Sequence, residues 1–204
     1  SYYNQGEALQ KHIEIWKQYD PTVLKNLRFI IIDDGSKKDV ASGNVKDHAG
    51  VDIELYRIRE DIPWNVGGAR NLAFSVAKGK WLFQLDMDTL LHPEEAMKLV
   101  KFAKEKAEEN TIYKFRQNHV DEVSNDSTHP GLMLVTKDTF WETGGHDENF
   151  CGHYGGTDIH IFYKFKEFVK NLKIDENTGN PWVISDEVSV ERFLLGETPT
   201  LKRN

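Results

Sequence analysis

Trp81-Leu82-Phe83-Gln84-Leu85-Asp86-Met87-Asp88 is a short apolar run that ends on two carboxylates. It reads as a buried strand with an acidic carboxyl end. Arg28-Phe29-Ile30-Ile31-Ile32-Asp33-Asp34-Gly35-Ser36 repeats the pattern, a β-branched run broken by the residue types that a tight turn requires. Between them, residues 51–58 alternate apolar with polar side chains as a half-buried strand does. Residues 67–76 read as a helix stopped at Gly79. Strand and helix alternate through the first half of the chain, which predicts an α/β fold with a mixed, mostly parallel sheet and helices on both faces. Open sheets of this kind take ligands at the carboxyl ends of their strands. Here those ends carry Asp33-Asp34 and Asp86-Met87-Asp88.

Outward from these strands, residues 6–19 place Leu9, His12, Ile13 and Trp16 at helical spacing until Asp20-Pro21 ends the pattern. Pro93 opens a helix that runs to about residue 109, with Glu94 and Glu95 suited to the positive end of its dipole. Two further strands are expected at 112–116 and 131–135, separated by a polar, turn-rich loop that can reach a ligand. A last helix is expected over 158–172, with Ile161, Phe162, Phe165 and Phe168 on one face. No repeat or linker divides the chain, so residues 1–204 read as a single domain.

The chain has 204 residues, 39% hydrophobic and 29% charged, the composition of a globular protein with a real core. Its 26 Lys and Arg against 33 Asp and Glu give a net charge of −7, which argues against a general electrostatic grip on nucleic acid or an anionic membrane. Cys151 is the one cysteine, so neither an intrachain disulfide nor a Cys-rich zinc site can form, and a reducing, cytoplasmic compartment is the default. No apolar run approaches the roughly 20 residues of a spanning helix, so no transmembrane segment is expected.

Four constellations can carry chemistry. The 16 Asp residues make one chance Asp-x-Asp per chain about the expectation, so the pattern Asp86-x-Asp88 gains weight from its position. At a strand end, residues two apart point the same way and can present two carboxylates to a hard divalent cation; the alternative is a solvated turn and helix cap. Asp33 and Asp34 suit either a plain tight turn or acceptors for a base or ribose. Asn65-Val66-Gly67-Gly68-Ala69-Arg70-Asn71 sets two glycines and a guanidinium at a helix start. That geometry suits an anion, or else close helix packing with Arg70 in an ion pair. Neither GxGxxG nor the phosphate-loop GxxxxGK[ST] is present, which argues against a nicotinamide enzyme or an ordinary ATPase. The glycine-rich stretch 144–157 leads to Asp158, either a helix cap or a general base facing an acceptor hydroxyl. His146, His153 and His160 recur every seven residues but lack HExxH or a Cys pair, and read as separate histidines.

Taken in order, Ser1-Tyr2-Tyr3-Asn4, the 29–36 strand and turn, Asn65 to Asn71, Asp86-Met87-Asp88 and Gly144-Gly145-His146-Asp147-Glu148 resemble the GT-A glycosyltransferases of the family 2 type. The resemblance covers residues 1 to about 166. It implies a nucleotide-sugar-binding half over 1–100 and an acceptor-binding half over 101–204. The implied activity is inverting transfer of a hexose-type sugar from a nucleotide diphosphate donor, UDP-sugar favoured, with Mn²⁺ or Mg²⁺ as cofactor. The implied acceptor is a saccharide, glycoprotein or glycolipid hydroxyl, which allows a location peripheral to a membrane. Tyr2, Tyr3, Asn4, Asp33 and Asp34 would hold base and ribose, with Arg70 near the nucleotide. Asp86 would touch ribose or metal, Asp88 would be the principal ligand of this DXD motif, and Asp158 the catalytic base.

Three departures accompany the match. Thr157-Asp158 replaces the family's Glu-Asp, His146 replaces an aromatic, and the family's first strand is expected just before Ser1, which suggests a trimmed start. The competing readings are a sugar nucleotidyltransferase, whose basic glycine-rich loop Tyr2-Tyr3-Asn4-Gln5-Gly6 lacks, and a non-catalytic nucleotide-sugar or glycan-binding module.

Overall fold

The computed structural model describes residues 1–45, 47–119 and 128–193. Most of the loop expected over 118–129, at residues 120–127, and the chain beyond 193 lie outside them. Helix α1 (Gly6–Trp16) turns Leu9, His12, Ile13 and Trp16 inward, the face read from the periodicity. Asp20 then caps the short α2 (Pro21–Leu24) by accepting from the Thr22 N–H at 2.7 Å. Strand β1 (Phe29–Asp34) pairs in parallel with β2 (Ile53–Ile58), and α3 (Ala41–Asn44) lies between them in the chain. On the edge of β1 away from β2, the Tyr2 N–H donates to Ile32 O at 2.8 Å and the Asp34 N–H to Tyr2 O at 2.9 Å. Helix α4 (Val66–Val76) packs on β1.

The second sheet holds β3 (Trp81–Gln84), β4 (Thr89–Leu90), β5 (Tyr113–His119), β6 (Met133–Thr136) and β7 (Val183–Arg192) in the order β3-β6-β5-β7-β4. Only its β5–β7 ladder is parallel, so the α/β architecture is mixed in strand direction. Helices α5 (Pro93–Glu105), α6 (Lys137–Glu142) and α7 (Thr157–Phe168) complete the layers. Side chains alternate across β6: Leu134 joins a core with Leu9, Trp16, Ile31, Phe102 and Val190, while Met133 and Val135 join another with Phe74, Phe140, Phe162 and Phe165. Both faces of the sheet are therefore covered by helices. Trp16 stacks on Phe29 at 4.1 Å, a contact worth about 1 kcal/mol beyond the area it buries.

Several boundaries differ from expectation for local reasons. Helix α5 stops at Glu105 because the Lys106 and Ala107 N–H groups both fall on Phe102 O, and Glu108-Glu109 would oppose the negative end of the dipole. Helix α7 stops at Phe168 because the β-branched Val169 is already extended. Strand β7 was not expected. Its register against β5 jumps from Phe115↔Ser185 to Arg116↔Ser189, so the alternation that announces a strand is interrupted by a bulge.

His12 ties α1 to the acidic turn. Its ring Nε2 lies 3.1 Å from Met87 O, so in the neutral ring Nε2–H donates and Nδ1 is left buried without a partner among the described residues. Burial pushes this imidazole down to about 4 from 6.5. A depressed folded-state value stabilises the protein above pH 6.5, and the contribution fades as pH falls toward 4. A shift of this size corresponds to roughly 3 kcal/mol. Thermal melting between pH 7 and pH 4 should therefore show a stability loss of that order, which His12→Gln removes. An unchanged pH slope in that variant would contradict the assignment.

Candidate active site

The site is built around Arg70. Helix α4 points this guanidinium under the carboxyl end of β3, where it is only 4% exposed. One terminal nitrogen, Nη2, donates to Asp86 Oδ1 at 2.8 Å, and the other, Nη1, donates to Asp158 Oδ1. Burial works against its charge, but Asp86 and then Asp158 outweigh that and raise its affinity for the proton. Burial would likewise raise the Asp86 carboxyl, yet Arg70 and then His129 hold it below the usual carboxylate range. The Arg70 Nε has no partner among the described residues.

Close approach here depends on glycines. A Cβ on Gly67 would sit 3.3 Å from the Thr157 methyl and from His146 Cβ, so the bare glycine lets α4 approach the start of α7. A Cβ on Gly131 would collide with Asp86 Oδ2 and lie 2.8 Å from Arg70 Nη2. Gly131 is held in place by Gln84, whose Nε2 donates to its carbonyl at 2.6 Å. His146 packs behind Gln84 at 3.4 Å, and burial pushes its ring down to about 3.

Asp86, Asp88 and His129 present ligand atoms within 4.8 Å of one another. Two carboxylates and an imidazole form a donor set that suits Mn²⁺, so the residues present fit the divalent ion that the sequence implies. His129 Nδ1 lies 3.4 Å from Asp86 Oδ2, and the loop carrying it is clamped by Lys114, whose ammonium donates to His129 O at 3.0 Å and Pro130 O at 3.2 Å. Asp88 is set from the far end of the chain: Arg192 Nε donates to its Oδ2 at 3.2 Å and the Phe193 N–H to its carbonyl at 3.0 Å. Neither Asp88 nor Asp158 is a helix cap, because His92 and Gly156 occupy those positions for α5 and α7.

The structure thus clusters Asp86, Asp88, Asp158 and Arg70, while the amino-terminal set is engaged in contacts of its own. Asp33 is 1% exposed and spends both oxygens on its own turn, accepting from the Ser36 N–H at 2.8 Å and the Ala41 N–H at 2.9 Å. Asn4 Oδ1 accepts from the Lys38 and Asp39 N–H groups, and the buried Tyr2 hydroxyl donates to Asp39 O at 2.7 Å. Asp34 accepts from Asn65 Nδ2 at 2.9 Å, and the Tyr3 hydroxyl lies 3.3 Å from Asp61. Arg70, expected near the nucleotide, has both terminal nitrogens committed to carboxylates. Sequence reasoning missed His129, Lys114 and Arg192. The signal for Arg192 was the Val188/Val190 alternation just before it.

A mixed α/β sheet with an Asp-x-Asp turn at a strand end and helices on both faces is the architecture of the GT-A glycosyltransferases. The chain belongs to glycosyl transferase family 2, whose family model matches residues 1–189. Among solved structures, it is similar to S. aureus TarS, with a TM-score of 0.67 and 12% identity over 95% of this chain and 35% of that one. It is also similar to the 1–349 fragment of TarS, with a TM-score of 0.61 and 13% identity over 82% and 53% of the two chains. A third is GalNAc-T7 with UDP, GalNAc and Mn²⁺, with a TM-score of 0.60 and 16% identity over 95% and 43%. The chain spans about a third to a half of the length of these structures. No curated protein matches the sequence. No helix among the described residues is long and apolar enough to cross a membrane.

Two outcomes are expected of this geometry. Mn²⁺ at about 100 times its dissociation constant should stabilise the protein by about 2.7 kcal/mol. Asp88→Asn or His129→Ala should abolish that shift in thermal melting, and its survival in both would place the ion elsewhere. Arg70→Met leaves two carboxylates facing each other and should cost about 3–5 kcal/mol in denaturant unfolding, part of it recovered by adding Asp158→Asn.

Proposed function

We propose that this glycosyltransferase moves a hexose-type sugar from a nucleotide diphosphate donor, a UDP-sugar by preference, to an acceptor hydroxyl with inversion at the anomeric carbon. The observation that carries this reading is the shared guanidinium. Arg70 holds Asp86, itself one of the candidate metal ligands, and Asp158 on two nitrogens of one rigid fork, so the residues assigned to both ends of the reaction lie side by side. The GalNAc-T7 structure, solved with UDP, GalNAc and Mn²⁺, supports the donor and metal class by likeness of fold.

In this mechanism the acceptor oxygen attacks the anomeric carbon as the bond to the diphosphate oxygen breaks, and the nucleoside diphosphate leaves with the electron pair. Asp158 takes the acceptor proton. Its Oδ1 is occupied by Arg70, while Oδ2 carries no hydrogen bond among the described residues and is the atom assigned to the base. A carboxylate can take this proton late in the step, because the hydroxyl becomes acidic only as its bond to carbon forms. Asp86, Asp88 and His129 would hold the Mn²⁺ or Mg²⁺, which supplies Lewis-acid neutralisation of the leaving diphosphate. Base and ribose lie at the carboxyl end of β1, against Tyr3 and Asp34, with Tyr2, Asn4 and Asp33 shaping the turn behind them. Arg70 positions the two aspartates through its terminal nitrogens.

Donor classes can be sorted by thermal shift with UDP-, GDP- and dTDP-sugars, each with and without Mn²⁺. Asp158→Asn should lower transfer by about 10²–10⁴-fold, the usual contribution of a positioned base, while the shift produced by donor plus Mn²⁺ stays close to wild type. Full transfer activity in Asp158→Asn would remove Asp158 from the base role.

A further inference from the structure

Beside Asp158 lies a cavity of about 340 Å³, lined by residues of β5, α7 and the segment before β7. This is at the lower end of small-molecule sites, room for one sugar unit and a substituent. Its walls are aromatic. Trp182 packs edge-on against Phe162 at 4.7 Å, and Tyr163, 68% exposed, stands at the rim on the solvent side of α7. Flat aromatic faces suit the apolar face of a pyranose ring.

Among the described residues, cations outnumber carboxylates on the lining of this cavity. Three ionised side chains line it: Asp158, Lys114 and Lys166. Asp158 is already paired with Arg70. Lys114 is 3% exposed, and its ammonium bonds two backbone carbonyls and sits 4.4 Å from the Phe162 ring and 5.2 Å from the Trp182 ring. No carboxylate lies within ion-pair distance of it among the described residues, although Asp158 and Asp86 attract its charge from farther away against the burial that lowers its affinity for the proton. Lys166, two turns beyond Asp158 on α7, is exposed and likewise has no carboxylate partner among them. Carbonyls and ring faces solvate an ammonium without cancelling its charge. In a protein of net charge −7, a pocket lined by two lysines with no ion-pair partner among the described residues, beside a carboxylate already paired with Arg70, selects for a negative ligand.

We propose that this cavity is the acceptor subsite and that it takes an acidic saccharide, a sugar unit carrying a carboxylate or phosphate. The ring packs on Trp182 and Tyr163, the anionic substituent lies between Lys114 and Lys166, and a hydroxyl faces Asp158. The inference rests on the transferase reading above and adds the acceptor class to it.

The test is ligand-observed NMR titration of the full chain with glucose, glucuronate and glucose 6-phosphate, no donor present. Both acidic sugars, or the one whose charge fits, should bind at least ten-fold more tightly than glucose. Lys166→Glu, an exposed change, should bring that ratio close to one, and Lys114→Met should lower it further where the variant folds. Glucose binding as tightly as both acids would overturn the proposal, as would a preference that survives Lys166→Glu. Mn²⁺-dependent hydrolysis of a UDP-sugar by the wild-type chain, measured in parallel, separates the two readings. Hydrolysis without acidic preference sinks the acceptor assignment alone, whereas no turnover or stabilisation with any donor sinks the transferase reading.

Discussion

A guanidinium with almost no access to water is the constraint around which the rest of this molecule is arranged. A buried charge is tolerated only when it is paired and hydrogen-bonded. Arg70 meets that condition by drawing one carboxylate from the end of β3 and one from the first turn of α7. Its fork fixes their separation more strictly than a lysine could, because both bonds leave one planar group. The glycines follow from it. Gly67 brings α4 close enough to α7, and Gly131 leaves space for the Asp86 carboxylate.

The second organising element is the late strand. By pairing in parallel with β5 and antiparallel with the two-residue β4, β7 brings Arg192 and Phe193 back onto Asp88. The acidic turn is thereby held from both sides: His12 grips Met87 from helix α1, and the end of β7 grips Asp88. Side chains fixed in this way have little further freedom to lose on binding, which is how a scaffold prepares a site before its ligand arrives.

Much of this was legible in the sequence because β1 and β3 end abruptly. An apolar run that stops on Asp33-Asp34 or Asp86-Met87-Asp88 states both the strand and where its polar end lies. The order of these motifs also identified the family. What the sequence concealed has physical reasons. The bulge in β7 broke the two-residue period, so the strand that completes the sheet looked like tail. Lys114 alternates with Tyr113 and Phe115 and so reads as solvent-facing, but Phe162 and Trp182 cover that face. His129 joins two aspartates distant in sequence through tertiary structure alone, which no local pattern encodes. Asp33 and Asn4 fit a turn and a binding loop equally well in a string of letters, because both use the same side chains, and the structure shows their turn contacts.

The loop at residues 128–131 supplies His129 to the candidate metal ligands and Thr128 and Pro130 to the cavity beside Asp158. The His129 ring stands with Asp86 and Asp88, while its backbone carbonyl receives the Lys114 ammonium on the side where Trp182 lies. One short piece of backbone therefore borders both the candidate metal ligands and the cavity beside Asp158. If filling one side restrains that backbone in the conformation the other side needs, the second occupant encounters a loop whose ordering has already been met. Any such coupling is reciprocal by thermodynamic necessity, each ligand changing the other's affinity by the same factor.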